Sequence, residues 1–174
     1  MKFVQYIAIS ALLFSSCGEE PEQEPEVEWT KEHSYQYGHQ IAKDEQMDIR
    51  IFLEMRPEWD METTGSGLQY WVYEARDDGE APVIGDIVEF ELKVTLLDGT
   101  ECYGTGEDEY QEIRIDQSEA ESGIQEGLKR MKVGEKAKLI IPSHLGHGLL
   151  GDFDKIPPLH TLVVDLYLTG IKGK

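Results

Sequence analysis

The stretch LKRMKVGEKAKLIIPSHLGHGLLGDFDKIPPLHTLVVDLYL, residues 128–168, changes its hydrophobic period along its length, and the order of those changes decides the fold. Ile124, Leu128 and Met131 stand at i, i+4 and i+7, the spacing of one buried helix face. Gly134 is expected to close that helix, with Lys129, Arg130 and Lys132 in its last turn, where cations meet the negative end of the helix dipole. Residues 137–141 read as a strand piece. In 162–168, Leu162, Val164, Leu166 and Leu168 alternate with neighbours that are polar, or apolar only near the start, which marks a strand. Between the two strands runs a loop of about fifteen residues, longer than most connections in a compact domain. It is punctuated by glycine and proline and holds His144 and His147. Such loops on rigid strands tend to carry function.

Upstream, Val88, Phe90, Leu92, Val94 and Leu96 alternate cleanly, and Asp98-Gly99 is a hairpin signal. LQYWVYEA, residues 68–75, is rich in β-branched and aromatic residues after the turn sequence TTGSG, and residues 112–115 form a further strand piece. Before them Ile49, Phe52 and Met55 have helical spacing, with Asp44 as the expected N-cap and Pro57 as the stop. The pattern predicts an α+β architecture: an antiparallel sheet wrapped on one short helix, with an N-terminal helical extension packed on the strand-rich part of the chain. No repeat is visible.

The chain of 174 residues is 40% hydrophobic, enough for one good core. Its 35 acidic against 16 basic residues leave a net charge of −19, which repels a phosphate backbone and sets nucleic acid aside as a partner. At the N-terminus, Lys2 precedes the apolar run 3–14, too short to span a membrane comfortably, so it reads as a signal peptide. Small residues then lead to Cys17, a pattern that resembles a bacterial lipoprotein signal in which that cysteine is lipidated. Cys102 is the only other cysteine, so lipidation of Cys17 leaves no intramolecular disulfide partner. GEEPEQEPEVE, residues 18–28, with six glutamates and two prolines, cannot bury enough surface to offset ordering and reads as an acidic tether.

Signals of covalent or metal chemistry are sparse. There is no Gly-rich phosphate loop and no cysteine pair spaced for zinc. His144 and His147, with Asp152 or Asp154, offer possible metal ligands, but without a third histidine or cysteine the favoured reading is that both rings pack the loop and cap its backbone. Ser143 beside His144 is no nucleophile pair, because adjacent side chains point apart. No metal and no cofactor are expected.

The helix with its Met-x-x-Gly-Glu turn, the strand, the loop, the Ile-Pro-Pro and the final Leu-Val-x-Asp strand together resemble the C-terminal half of FKBP-type peptidyl-prolyl cis-trans isomerases. The match continues upstream through GIQEGL and LLDGT and covers roughly residues 67–172. The acidic linker, the TGSGLQYWVYE entry and the PSHLGHGLLGD loop look like lipoprotein members from Bacteroidetes-like bacteria, some of them linked to gliding motility. The resemblance implies this organisation: signal peptide 1–16, tether 17–28, helical extension 29–62 and FKBP-like domain 63–174. It also implies proline-containing polypeptides as partners. Attachment to a membrane would be through the lipid on Cys17. Gly18 after that cysteine favours the outer membrane of a cell envelope, and the acidic run beyond it resembles surface-export signals.

The same resemblance assigns site residues. A prominent aromatic of the family's pocket falls on Leu92, its Phe-Asp pair on Cys102-Tyr103, its tryptophan floor on Ile124 and its last aromatic on Val164. The backbone N–H that holds the substrate carbonyl would belong to Glu121. The tyrosine of the loop, called the flap, falls on His147, and of two isoleucines before Pro-Pro, the first is Lys155 and Ile156 is retained. Apolar character is kept while the aromatic wall is thinned, which implies weakened turnover. Catalysis of this kind needs no nucleophile. Twisting the X-Pro bond faces a barrier near ~18–20 kcal/mol, and a pocket that strips water from the dipolar planar amide favours the twisted state. Two alternatives stay open: Leu92, Ile124 and Val164 fill a closed core in a non-catalytic binding module, or the chain is a structural lipoprotein of an envelope complex.

Overall fold

The computed structural model describes residues 30–106, 109–118 and 120–173; the signal run, Cys17 and the acidic tether lie outside them. The order of elements is α1 (Lys31–Glu54), β1 (Glu62–Thr63), β2 (Gln69–Glu74), β3 (Ile87–Leu96), β4 (Glu101–Gly104), β5 (Gln111–Arg114), α2 (Ser122–Leu128), β6 (Lys136–Ile141) and β7 (Leu162–Gly173), with one 3-10 turn at Ser143–Leu145. The strands make a single antiparallel sheet in the order β1-β2-β6-β7-β3-β4, and β5 shares the outer edge of β3 with β4. This is the expected α+β architecture: an antiparallel sheet with one short helix on it, plus an N-terminal helix.

The alternation of β3 does what periodicity predicts: Val88, Phe90, Leu92, Val94 and Leu96 are all buried on the face toward α2. Opposite them on β7 stand Leu168, Leu166, Val164 and Leu162, and β6 adds Ala137, Leu139 and Ile141. The helix α2 lies very close to that face. A Cβ on Gly123 would come within 2.4 Å of the Ile141 side chain, and one on Gly127 within 2.4 Å of Leu139. These glycines, one helical turn apart, let the backbone of α2 sit directly on β6. The helix is shorter than its periodicity suggests. It ends at Leu128 with Lys129 as C-cap, and Gly134 (φ +89) instead serves the tight turn from Lys132 to Glu135 that starts β6. The buried Glu135 carboxylate holds this turn by accepting the Lys132 N–H at 2.8 Å and the Arg76 N–H at 2.9 Å.

The N-terminal helix also departs from expectation. It begins at Lys31, capped by Thr30 in a reciprocal bond with His33, rather than at Asp44. Its first turns are exposed and polar, so no apolar stripe announces them; the buried face starts at Ile41 and runs through Glu45, Ile49 and Phe52. Met55, expected on the packed face, is the exposed C-cap. Ile49 and Phe52 pack against Ile140 and Val163, which face away from α2. The two apolar residues that break the alternation of β6 and β7 are thus the ones α1 covers. Each of these buried side chains contributes roughly 1.5–3 kcal/mol of transfer free energy. Among the described residues no helix is long and apolar enough to cross a membrane.

Candidate functional site

Five of the eight residues picked out above, Leu92, Cys102, Ile124, Ile156 and Val164, come together in one buried cluster. Leu92 and Val164 point inward from β3 and β7, where Leu92 stands opposite Leu166, and Val164 lies between Val94 and Leu139. Ile124 descends from α2 and Ile156 from the flap, the loop between β6 and β7. Cys102 arrives on β4, and its thiol donates a weak hydrogen bond to the Lys155 carbonyl at 3.7 Å. Burial, with the nearby Asp152 charge, pushes that thiol pKa up, which disfavours the reactive thiolate. All five are at most 7% exposed.

The remaining three are not members of that cluster and are only partly buried or exposed. His147 Nε2 lies 3.0 Å from Glu121 Oε1, each side chain about a quarter exposed (25% and 28%), so the flap is tied to the start of α2. Glu121 is the N-cap of α2 with φ −52 and ψ 134. Its N–H therefore belongs to the extended segment before the helix rather than to the helical ladder. Tyr103 on β4 donates its hydroxyl proton to Asp152, with Asp154 Oδ2 at 3.5 Å. The bond to Asp152, then desolvation and the carboxylate charges, push the Tyr103 pKa up to about 12.

Asp152 organises the flap. Its Oδ1 accepts the N–H of Asp154 at 2.9 Å and of Ile156 at 2.8 Å, and its own N–H donates to the Ile156 carbonyl at 3.0 Å. Desolvation opposes the charge of Asp152, but the hydrogen bonds from Tyr103, Asp154 and Ile156 and the proximity of His147 outweigh it and bring its pKa down to about 2. Gly151 (φ +66) is required beside it, because a Cβ there would lie 2.2 Å from the Ile156 oxygen. The two histidines of HLGH diverge: His144 Nε2 meets the Ser66 carbonyl at 2.9 Å while His147 meets Glu121. Among the described residues no group of three metal-ligating side chains occurs.

Two supporting residues take roles that were not assigned to them from the sequence. Asp152 figured only as a possible metal ligand; its bond to the N–H two residues on is an Asx-type turn, a pattern that aspartate in a glycine-rich loop does announce. Gln125, buried on α2, accepts the Asp116 N–H at 2.9 Å and donates to Ala120 O at 2.8 Å and Ser118 O at 3.3 Å. It thereby fixes the approach to Glu121. Nothing in its position between apolar helix residues marks it.

The sheet, the helix laid on its inner face and the flap over an apolar floor define a class. The chain belongs to the FKBP-type peptidyl-prolyl cis-trans isomerase family, whose model matches residues 78–169. Among its relatives is the FKBP-type peptidyl-prolyl cis-trans isomerase FkpA of Escherichia coli (strain K12), 42% identical over 115 residues, or 64% of this chain and 40% of that protein. A probable FkpA of Neisseria meningitidis serogroup B is 35% identical over 111 residues, with the same shares. The chain thus spans about 40% of the length of these curated relatives. The crystal structure of FkpA from Escherichia coli superimposes with a TM-score of 0.62 at 31% identity, covering 84% of this chain and 75% of that one.

Proposed function

We propose that this protein is a peptidyl-prolyl cis-trans isomerase that works by non-covalent catalysis. The observation that carries the reading is the convergence of Leu92, Ile124, Ile156 and Val164, from four separate elements, beside a flap that is tied to Glu121 through His147 and to Tyr103 through Asp152. The proline ring would lie on the apolar floor, which cannot solvate the dipole of the planar amide. The Glu121 N–H would take a substrate carbonyl next to the isomerising bond, and His147 would offer a second donor from the flap. No side chain forms a bond to substrate. The raised pKa of the Cys102 thiol agrees with that mechanism.

The cellular setting belongs to the same proposal. The apolar run 3–14, Cys17 and the acidic stretch 18–28 support a lipid-anchored protein of a bacterial cell envelope, in the outer membrane, assisting the folding of exported proteins. One observation favours a second reading: Val164 is fully buried and Leu92 and Ile124 nearly so, as in a closed core of a binding module without turnover. A protease-free assay of cis/trans exchange on an Xaa-Pro peptide, with the chain from residue 27 onward, separates the two. Acceleration above the uncatalysed rate supports the isomerase. Peptide binding without acceleration supports the module.

A further inference from the structure

The flap leaves the sheet after Ile141 and returns at Leu162, and these two residues are the last pair of the β6–β7 ladder. The ladder therefore holds the fold closed at that point but does not fix the direction in which the flap departs. Beyond it, Ser143 and Thr161 are buried polar residues, 5% and 4% exposed, one on each stem. Both bond to a single side chain from the other face of the sheet. Glu45 Oε1 accepts the Ser143 N–H at 2.6 Å and the Thr161 hydroxyl proton at 2.7 Å, while Oε2 accepts the Ser143 hydroxyl proton at 3.1 Å.

We propose that Glu45 is a positioning residue for the proline site: from α1 it clamps the two stems of the flap and so sets where His147 and Ile156 stand over the apolar floor. The proposal rests on the isomerase reading for the identity of that site. Its mounting is rigid, because Ile49 and Phe52, one and two turns further along α1, are buried against Ile140 and Val163, the outward neighbours of the stems. Glu45 lies outside residues 78–169, the part of the chain that matches the family model, so the N-terminal helix contributes to the site without touching substrate. Groups that hold a reacting bond in a defined geometry act over fractions of an ångström, and a stem freed to swing moves the whole flap.

The clamp works through acceptors, not through charge alone. In Glu45→Gln the remaining carbonyl oxygen keeps both bonds of Oε1, and the Ser143 hydroxyl can turn to accept from the amide. In Glu45→Ala both stems lose their shared partner. The test uses the whole chain carrying Glu45→Gln, Glu45→Ala, Thr161→Val or Glu45→Ala with Thr161→Val. It measures kcat and KM for one Xaa-Pro peptide per folded molecule, and amide hydrogen exchange across residues 144–156 against the β3–β7 ladder. Glu45→Ala, which removes all three bonds of the clamp, should raise KM about 3- to 10-fold, about the effect of one lost hydrogen bond from the displaced flap to substrate, with kcat changed less than about twofold. Exchange should quicken in the flap and not in the ladder, Glu45→Gln should stay near the unmodified chain, and the double variant should be no worse than Glu45→Ala. Equal KM and equal flap exchange in Glu45→Ala, with only a lower melting temperature, would overturn the proposal; so would a Glu45→Gln variant as impaired as Glu45→Ala. If the unmodified chain shows no turnover, the isomerase reading falls by itself, and unchanged flap exchange in Glu45→Ala then removes the clamp.

Discussion

Replacing His147 tests the site most directly, because the same substitution predicts different results if the ring binds substrate or only packs the flap. The His147–Glu121 contact is at 3.0 Å but both partners are about a quarter exposed, so its share of folding stability is that of a surface pair, about 0–1 kcal/mol. For a domain of this size that is a change in melting temperature of only about 0–4 °C. A donor to the substrate carbonyl is worth about 0.5–1.5 kcal/mol in a desolvated site, which is about a 2- to 13-fold loss of kcat/KM in His147→Ala. His147→Tyr places a hydroxyl donor on the same loop and should hold or raise the rate. Glu121→Gln leaves the Glu121 N–H in place and should change the rate less than His147→Ala does. The assay is cis/trans exchange of a single proline peptide without a coupling protease, corrected for the folded fraction. Equal rates for the unmodified chain, His147→Ala and His147→Tyr would refute a role for the ring in the site, and a loss of stability without a loss of rate would leave it a packing residue.

Three further outcomes are expected. The Asp152 carboxyl, brought from an ordinary 3.8 to about 2 in the folded chain, lends order to the flap that is fully present above pH 4 and lost as pH falls toward 2; exchange of the Asp154 and Ile156 amides, compared with Asp152→Asn, should show that window, and protection lost already near pH 5 would contradict it. Phe52→Ala removes a ring that is 6% exposed, edge-on to Trp59 at 5.7 Å and beneath the Arg56 guanidinium at 3.6 Å, and should cost about 3–5 kcal/mol in denaturant unfolding. A loss under about 1 kcal/mol would mean that α1 is not docked as described. Cys17→Ser should move the protein from the membrane to the soluble fraction, since a lipid on that residue is the proposed anchor; unchanged fractionation defeats the lipoprotein reading.

How much of the fold and the site was legible in the chain differs from residue to residue. The inward side of β3 could be read directly, because alternation has a period of two and one buried face imposes it on every second residue. Leu92, Ile124, Ile156 and Val164 were picked out through the family resemblance, and their meeting in one buried cluster follows from strands and helix already placed. The start of α1 was not legible, since a solvated helix turn needs no apolar stripe and the capping pair Thr30–His33 is a weak signal beside Asp44.

The sequence by itself determined the order of the main strands β2, β3, β6 and β7 with the helix between, and the inward face of β3, because those depend on residues a few positions apart. Only the tertiary structure decided what the polar residues do. Val163 and Ile140 look like irregularities of alternation until α1 is seen to cover them. Glu45 reaches Ser143 and Thr161 across 98 and 116 positions, and Tyr103 reaches Asp152 across 49. A hydrogen bond is made or lost within a few tenths of an ångström, and no period in the chain encodes a distance of that kind between segments so far apart.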